Sequence, residues 1–350
     1  MFEQDGPRMN DSLLENSALR EKIASLFVGN IVTQIIYVAA KLAIPDLLAA
    51  GPMTSDEIAA KAGAHPRALA GILRALVALE VLAEQPDGRF ALKPIGEFLR
   101  SHPGWRSQAI LLGEEYFRAS NNLLHTALTG EPAFDQVFGM GFYEYFTCKE
   151  NEAAAARFNE VMIMSAPLRY SDVPAAFDFS RTRKIIDIGG GHGGLTSIIL
   201  QANPNLRAIL FDAPQVIEGA SSRLASEGLS ARCDCVGGDF FKSVPRGGDA
   251  YILSSVVVNW DDQRAISILR NCRAAMLPTG DLIMIEYALL DGRKYSPSTF
   301  VTAVAALAIQ GSHTRTEAEY HAMLTKAGFR IEKITPLFYE PYVLIHARPV

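Results

Sequence analysis

One stretch limits what this chain can fold into more than any other. Lys184-Ile185-Ile186-Asp187-Ile188 runs into Gly189-Gly190-Gly191-His192-Gly193-Gly194, and Leu195-Thr196-Ser197-Ile198-Ile199-Leu200 follows. Three isoleucines suit a buried strand. Five glycines in six positions admit positive φ angles and let a ligand approach the backbone with no Cβ in the way. The apolar run after them opens a helix. A strand, a tight turn and a helix N-terminus in that order point to a nucleotide-like cofactor. From Gly189 the glycines also satisfy G-x-G-x-x-G, so a dinucleotide is the first rival and a purely structural turn the second.

The chain around this stretch keeps the same rhythm. Strand-like runs at 184–188, 207–211, 231–236, 249–257 and 281–286 alternate with helical patterns, as in a parallel, doubly wound sheet. Runs at 329–334 and 342–347 add two strands, expected as an antiparallel edge pair. This α/β domain is expected over residues 179–350.

The N-terminal part reads differently. Residues 1–20 are polar, with a possible first helix, and the opening Met1-Phe2-Glu3-Gln4-Asp5-Gly6 is unlike a signal peptide. From Ile23 to Ala50 the pattern is helical with apolar residues nearly all round, which calls for burial, and a partner chain is the natural cover. Thr54 and Glu57 form a capping box for a helix that stops at Gly63. A helical stripe from Arg67 to Leu82 leads into a hairpin, 81–84 and 89–92, around Pro86-Asp87-Gly88. Helices followed by a hairpin make a winged helix, so DNA binding is the reading from another class. With Arg67 and Arg74 the only cations on the recognition helix, and a net charge of −5, phosphate neutralisation is poorly served. A packing or dimerisation module over 1–105 is the better expectation.

Residues 106–178 read as a helical connector with loop signals at Gly113, Gly130 and Gly139, rich in aromatics and methionine. Such a stripe is usually core, yet it also suits the wall of a flat apolar ligand's pocket, with Phe142, Tyr145, Met162 and Met164 as candidates. No apolar run reaches about 18 residues, so no membrane partner is expected. Cys233-Asp234-Cys235 lacks zinc-ligand spacing and a second pair, so no metal is expected. Four cysteines without a framework fit a cytoplasmic protein.

The cofactor residues follow from strand ends. Asp212 closes the second strand, placed to accept both ribose hydroxyls, or else to cap the helix after Ala213-Pro214. Gly238-Asp239-Phe240-Phe241 follows the third strand, where Asp239 can take an adenine amino group and Phe240 can cover the ring. Asp187 just before the glycines would repel a pyrophosphate and tolerate a cation, which favours an adenosyl-sulfonium over a dinucleotide.

These motifs, together with Asn259-Trp260-Asp261-Asp262, Ile268-Leu269-Arg270-Asn271-Cys272 and Ala327-Gly328-Phe329, occur in an order similar to that of the small-molecule O-methyltransferases of the acetylserotonin and caffeate type. The resemblance spans about residues 20–350. It implies a Rossmann-like class I methyltransferase domain behind an N-terminal, mostly α winged-helix dimerisation domain. It also implies S-adenosyl-L-methionine as cofactor and an intertwined homodimer. Asp187, Gly189, Gly191, Asp212, Asp239, Phe240 and Ser254 are then the expected cofactor residues.

The chain departs from that family where the acceptor should lose its proton. The family's histidine is replaced by Val258 and the following acid by Asn259, in a Val-Asn-Trp run closest to that of anthracycline-tailoring methyltransferases. A supporting glutamate is kept as Glu286, and a second is replaced by Thr314. His313 and His125 are the nearest substitutes as base or acceptor-orienting groups; His192 is expected to meet the cofactor and Trp260 to form packing or cofactor wall. Asn259 is either an acceptor contact or a helix cap. The expected function is O-methylation of a small aromatic or polyketide-like acceptor by proximity and orientation. Carbon or nitrogen methylation, or a relative that keeps the cofactor for hydroxylation or a pericyclic step, stays open.

Overall fold

The computed structural model describes residues 16–101 and 104–350, so most of the expected first helix within 1–20 lies outside the described residues. The chain forms two compact units, residues 1–114 and 115–350.

In the first unit the single helix expected from 23 to 50 is three: Ser17–Phe27, Gly29–Lys41 and Ile44–Leu48. Ala43 takes a left-handed conformation at φ 53°, which separates the last two. The apolar all-round surface is only half buried within the chain. Ala39, Ala40, Ile44 and Leu48 are in the core, while Leu26, Phe27, Val28 and Ile31 are 52–76% exposed. The capping box forms as expected, with the Thr54 hydroxyl accepting from Glu57 N–H, and the helix Ser55–Ala62 ends at Gly63, φ 63°. The helix Pro66–Ala78 buries Leu69, Leu73 and Leu76. It leads to β1, Leu82–Glu84, and β2, Phe90–Leu92, paired antiparallel. Gly113, expected as a loop signal, instead lies in a π-helical turn, Leu112–Tyr116. A Cβ there would stand 2.3 Å from the Tyr37 side chain, so close packing rather than a turn requires that glycine.

The second unit holds the sheet. Its strands are β3 (Lys184–Ile188), β4 (Arg207–Asp212), β5 (Cys233–Gly237), β6 (Ala250–Ser254), β7 (Asp281–Leu289), β8 (Arg315–Thr316), β9 (Phe329–Pro336) and β10 (Tyr342–Pro349). The order is β5-β4-β3-β6-β7-β10-β9, with β8 paired to β7. Strands β3 to β7 are parallel, and β10 runs antiparallel to both β7 and β9. The last two strands form the expected antiparallel pair at the edge of the sheet: β9 is outermost and β10 lies between it and β7, which buries Val343, Leu344 and Ile345. β6 stops at Ser254, short of the expected 257, because Ser255 takes φ 52° and turns the chain into a 3-10 turn, Val257–Asn259.

Apolar cores cover both sheet faces. One is packed by the helices Asp262–Ala275 and Glu317–Lys326, the other by Gly194–Ala202, Pro214–Ser226 and the end of the long helix Glu152–Tyr170. The C-terminal ends of β3, β4 and β6 meet at the crossover point where open sheets bind ligands. Among the described residues no single helix is long and apolar enough to cross a membrane.

Candidate active site

The glycine turn is built to be approached. Gly189, Gly191 and Gly193 have φ of 69°, 57° and 76°. A Cβ on Gly190 would fall 2.3 Å from Leu210 Cδ1 and 2.6 Å from Asp187 Oδ2, whereas one on Gly191 would meet nothing within 4 Å. The loop is thus tight on the sheet side and open on the other. Gly189 N–H donates to the Phe211 carbonyl at 2.7 Å, tying the turn to β4.

Asp212 sits beside this opening. Its Oδ2 accepts from Gly191 N–H at 2.8 Å and its Oδ1 from Ala213 N–H at 2.7 Å, and burial raises its pKa. It does not cap the next helix, whose N-cap is Ala213. Asp187 is 1% exposed; its Oδ2 accepts from the Thr196 hydroxyl at 2.5 Å and its Oδ1 has no hydrogen-bond partner. Phe240 reaches to 3.7 Å from where a Cβ on Gly189 would be and meets Trp260 edge-on at 6.2 Å. Asp239 is exposed beside it, accepting from Phe241 N–H at 2.9 Å. Ser254 donates to the Tyr170 hydroxyl at 3.0 Å. An unpaired buried carboxylate oxygen, an open glycine edge and an acid at the next strand end fit a cationic nucleoside and suit a pyrophosphate poorly.

His192 does not face the cofactor edge. A Cβ on Gly219 would lie 2.6 Å from its ring, so the imidazole packs on the helix Pro214–Ser226, where burial and Arg223 lower its pKa.

The acceptor side differs from the sequence reading in detail. Phe142, 4% exposed, packs among Phe134, Phe146 and Phe158 with ring centroids at 5.2, 4.9 and 5.5 Å. Tyr145 packs on Phe138 at 4.7 Å. Both belong to a close-packed aromatic cluster. The neighbouring Tyr143, missed in the sequence, is 41% exposed and stacks on Trp260 at 6.5 Å. No signal but its place beside Phe142 marked it. Met162 and Met164 are half-buried on the helix Glu152–Tyr170.

The groups proposed for proton transfer sit in different surroundings. Asn259 Nδ2 donates to the Ser255 carbonyl at 2.6 Å and its Oδ1 accepts from the Ser312 hydroxyl at 2.8 Å. Its amide ties the loop to Ser312, and the next helix is capped by Asp261 instead. Val258 is 5% exposed and accepts, through its carbonyl, from His313 N–H at 2.9 Å. The exposed His313 lines a groove of about 530 Å³ with Ala303, Val304, Leu307 and Glu319. His125 lies on the helix Leu123–Thr129, with Thr129 Oγ1 3.4 Å from its Nε2. Arg315, which sequence reasoning missed, donates to the carbonyls of Val257 at 2.9 Å and Trp260 at 2.7 Å.

Glu286 is fully buried. Its Oε1 accepts from Val256 and Val257 N–H, both at 3.1 Å, while Oε2 has no partner. Burial pushes its pKa up to about 8, and that of Asp187 up to about 7. Both carboxyls titrate higher folded than unfolded, so they favour the fold most at low pH. The Glu286 contribution is complete below its ordinary value of 4.5 and is lost as pH rises through about 8. Glu286→Gln keeps the acceptor oxygen and removes the titration. The variant should therefore lose less stability than the wild type between pH 7 and 8.5, by on the order of 1 kcal/mol. Urea unfolding at both pH values tests this; equal losses in the two proteins would refute a neutral Glu286.

Comparison with known proteins follows the same lines. The family model of an O-methyltransferase domain matches residues 121–330, and that of an O-methyltransferase dimerisation domain matches 24–101. Phenazine O-methyltransferase PhzM of Lysobacter antibioticus is 40% identical over 330 residues, 94% of this chain and 96% of that protein. The solved mitomycin 7-O-methyltransferase MmcR has a TM-score of 0.91 at 32% identity, covering 96% of this chain and 99% of its own. The O-methyltransferase NcsB1 from neocarzinostatin biosynthesis, solved with S-adenosylmethionine and 2-hydroxy-5-methyl naphthoic acid, has a TM-score of 0.81 at 29% identity. It covers 91% of this chain and 96% of its own.

Proposed function

This chain belongs to the S-adenosylmethionine-dependent O-methyltransferase family, and on that premise we propose that it methylates a phenolic or enolic oxygen of a small, planar natural product without a side-chain base. The observation that carries this reading is the loop 257–260: a valine at the family's base position, an asparagine tied to Ser255 and Ser312, and behind them a fully buried glutamate whose Oε1 is held by two backbone N–H groups. Valine and asparagine carry no basic group, and Glu286 is shut away from solvent.

When bound, S-adenosylmethionine supplies an electrophilic methyl group on a sulfonium. Asp212 would hold the ribose, Asp239 and Phe240 the adenine, and Gly189, Gly191, Asp187 and Ser254 would frame the amino-acid and sulfonium end. Tyr143 and Trp260, with Met162 and Met164, would orient the acceptor and exclude water. Proximity can supply most of the required rate, since near-attack alignment is worth about 7–11 kcal/mol. An ordinary phenol of pKa about 10 is only about 0.1% ionised at pH 7, a deficit of roughly 4 kcal/mol. The acceptors that suit this site are therefore already acidic. The compounds named for the relatives, a phenazine, a mitomycin and a hydroxylated naphthoic acid, are all fused-ring molecules.

The dimerisation family model and the exposed Leu26, Phe27, Val28 and Ile31 support a homodimer. The four free cysteines support a cytoplasmic setting. Incubation with methyl-labelled cofactor and a panel of acidic phenols should move label into extractable product and release S-adenosylhomocysteine. Neither label nor the demethylated cofactor appearing would end this reading.

A further inference from the structure

Arg169 occupies the last turn of the helix Glu152–Tyr170. Its Nη1 donates to the Tyr342 hydroxyl at 3.4 Å, and its Nη2 to the Met162 sulfur at 3.5 Å and to the Ser165 hydroxyl. Its Nε is buried without a partner, and the guanidinium carbon lies 5.4 Å from the Tyr170 ring centroid. Every contact is neutral, and among the described residues no carboxylate forms an ion pair with it. A guanidinium keeps its charge at all relevant pH, and a buried charge without a partner is costly unless something else supplies one.

The surroundings say where that partner would sit. Tyr342, bonded to Arg169, also bonds the Ser255 hydroxyl at 2.9 Å, and Tyr170 accepts from Ser254. Arg169 therefore stands at the C-terminal end of β6, beside Met162. Asp212 ends β4 and Arg169 sits by the end of β6, the two strands that flank β3, so the glycine turn after β3 has an acid on one side and a cation on the other.

We propose that Arg169 is a carboxylate-binding residue of this pocket, receiving either the α-carboxylate of the cofactor's amino-acid end or a carboxylate on the acceptor. The proposal rests on the methyltransferase reading of the same site. Arg is the side chain best matched to a planar carboxylate, through paired donors.

Calorimetry on full-length wild type, Arg169→Met and Arg169→Lys separates the sources. The cofactor-side probes are S-adenosylhomocysteine, which has the carboxylate, and 5′-methylthioadenosine, which lacks it. The acceptor-side probes are 1-hydroxy-2-naphthoate and 1-naphthol. If the cofactor supplies the carboxylate, R169M weakens S-adenosylhomocysteine about 10- to 100-fold and leaves 5′-methylthioadenosine within about twofold. If the acceptor does, R169M spares both nucleosides and weakens the naphthoate alone by a similar factor. R169K should recover part of either loss. Equal binding of all four probes to R169M and wild type overturns the proposal. So does an equal loss for the carboxylated and carboxylate-free member of each pair, which marks a merely structural arginine. Failure of the wild type itself to bind either nucleoside brings down the methyltransferase reading, and this proposal with it.

Discussion

Asp212→Ala is expected to weaken S-adenosylmethionine binding by about 100-fold while leaving the chain folded. The carboxylate ends β4 at the mouth of the glycine turn, and each oxygen accepts one backbone N–H, from Gly191 and from Ala213. Each oxygen keeps capacity for a second donor, which is what a ribose diol offers. Hydrogen bonds to a charged group are worth about 1.5–3 kcal/mol each, so losing two costs roughly two orders of magnitude or more. The same substitution frees Gly191 N–H, whose pinning shapes the open edge of the loop. Asp212→Asn should lie between, because one oxygen survives. Calorimetric titration with S-adenosylhomocysteine, alongside a thermal melt to confirm folding, reads the effect. A loss under about threefold would remove the ribose role from Asp212.

Arg315→Met is expected to destabilise the folded chain by about 3–5 kcal/mol. Arg315, 4% exposed, ties down the loop that carries Val258 and Trp260 by donating to the carbonyls of Val257 and Trp260. Its Nε and Nη2 also donate to Asp262 Oδ1 at 3.1 and 2.9 Å. Methionine fills similar space yet leaves two loop carbonyls without their charged donor, each worth about 1.5–3 kcal/mol. Asp262 is 72% exposed at its side chain and can turn to water, so it adds little to the loss. Lysine has the charge but not the fork, and should recover less than half. Urea unfolding measures the difference. A change below about 1 kcal/mol would show that the loop holds itself.

The two predictions differ in how readable their residues are. Asp212 stands out in the sequence because its role is local: a strand of known period ends on an acid, a fixed distance after a glycine turn. The same holds for Ile185 and Ile186, buried in β3, and for the Thr54–Glu57 capping box. Arg315 acts on residues more than fifty positions away, and nothing at 315 itself announces them. The hold on Asn259 is hidden for the same reason: Ser312, brought in by the helix Pro297–Gln310, donates to its amide oxygen. Tyr143 and Phe142 are adjacent aromatics, and only the turn of the short helix Phe142–Tyr145 decides which one enters the core. β9 and β10 read as an antiparallel edge pair and form one, but which of them is outermost depends on the pairing of β10 with β7. Local chemistry was legible; whatever needed two distant segments to meet was not.

The central claim is that this site aligns an already acidic acceptor and contributes no proton acceptor of its own. Single-turnover methyl transfer, measured against pH for a series of phenols of graded acidity, addresses it directly. The account predicts that the rate climbs with pH and levels off at the acceptor's own pKa, so that the break moves from one phenol to the next. A break that stays at one pH for every acceptor would reveal a titrating base in the protein, and the account would be wrong.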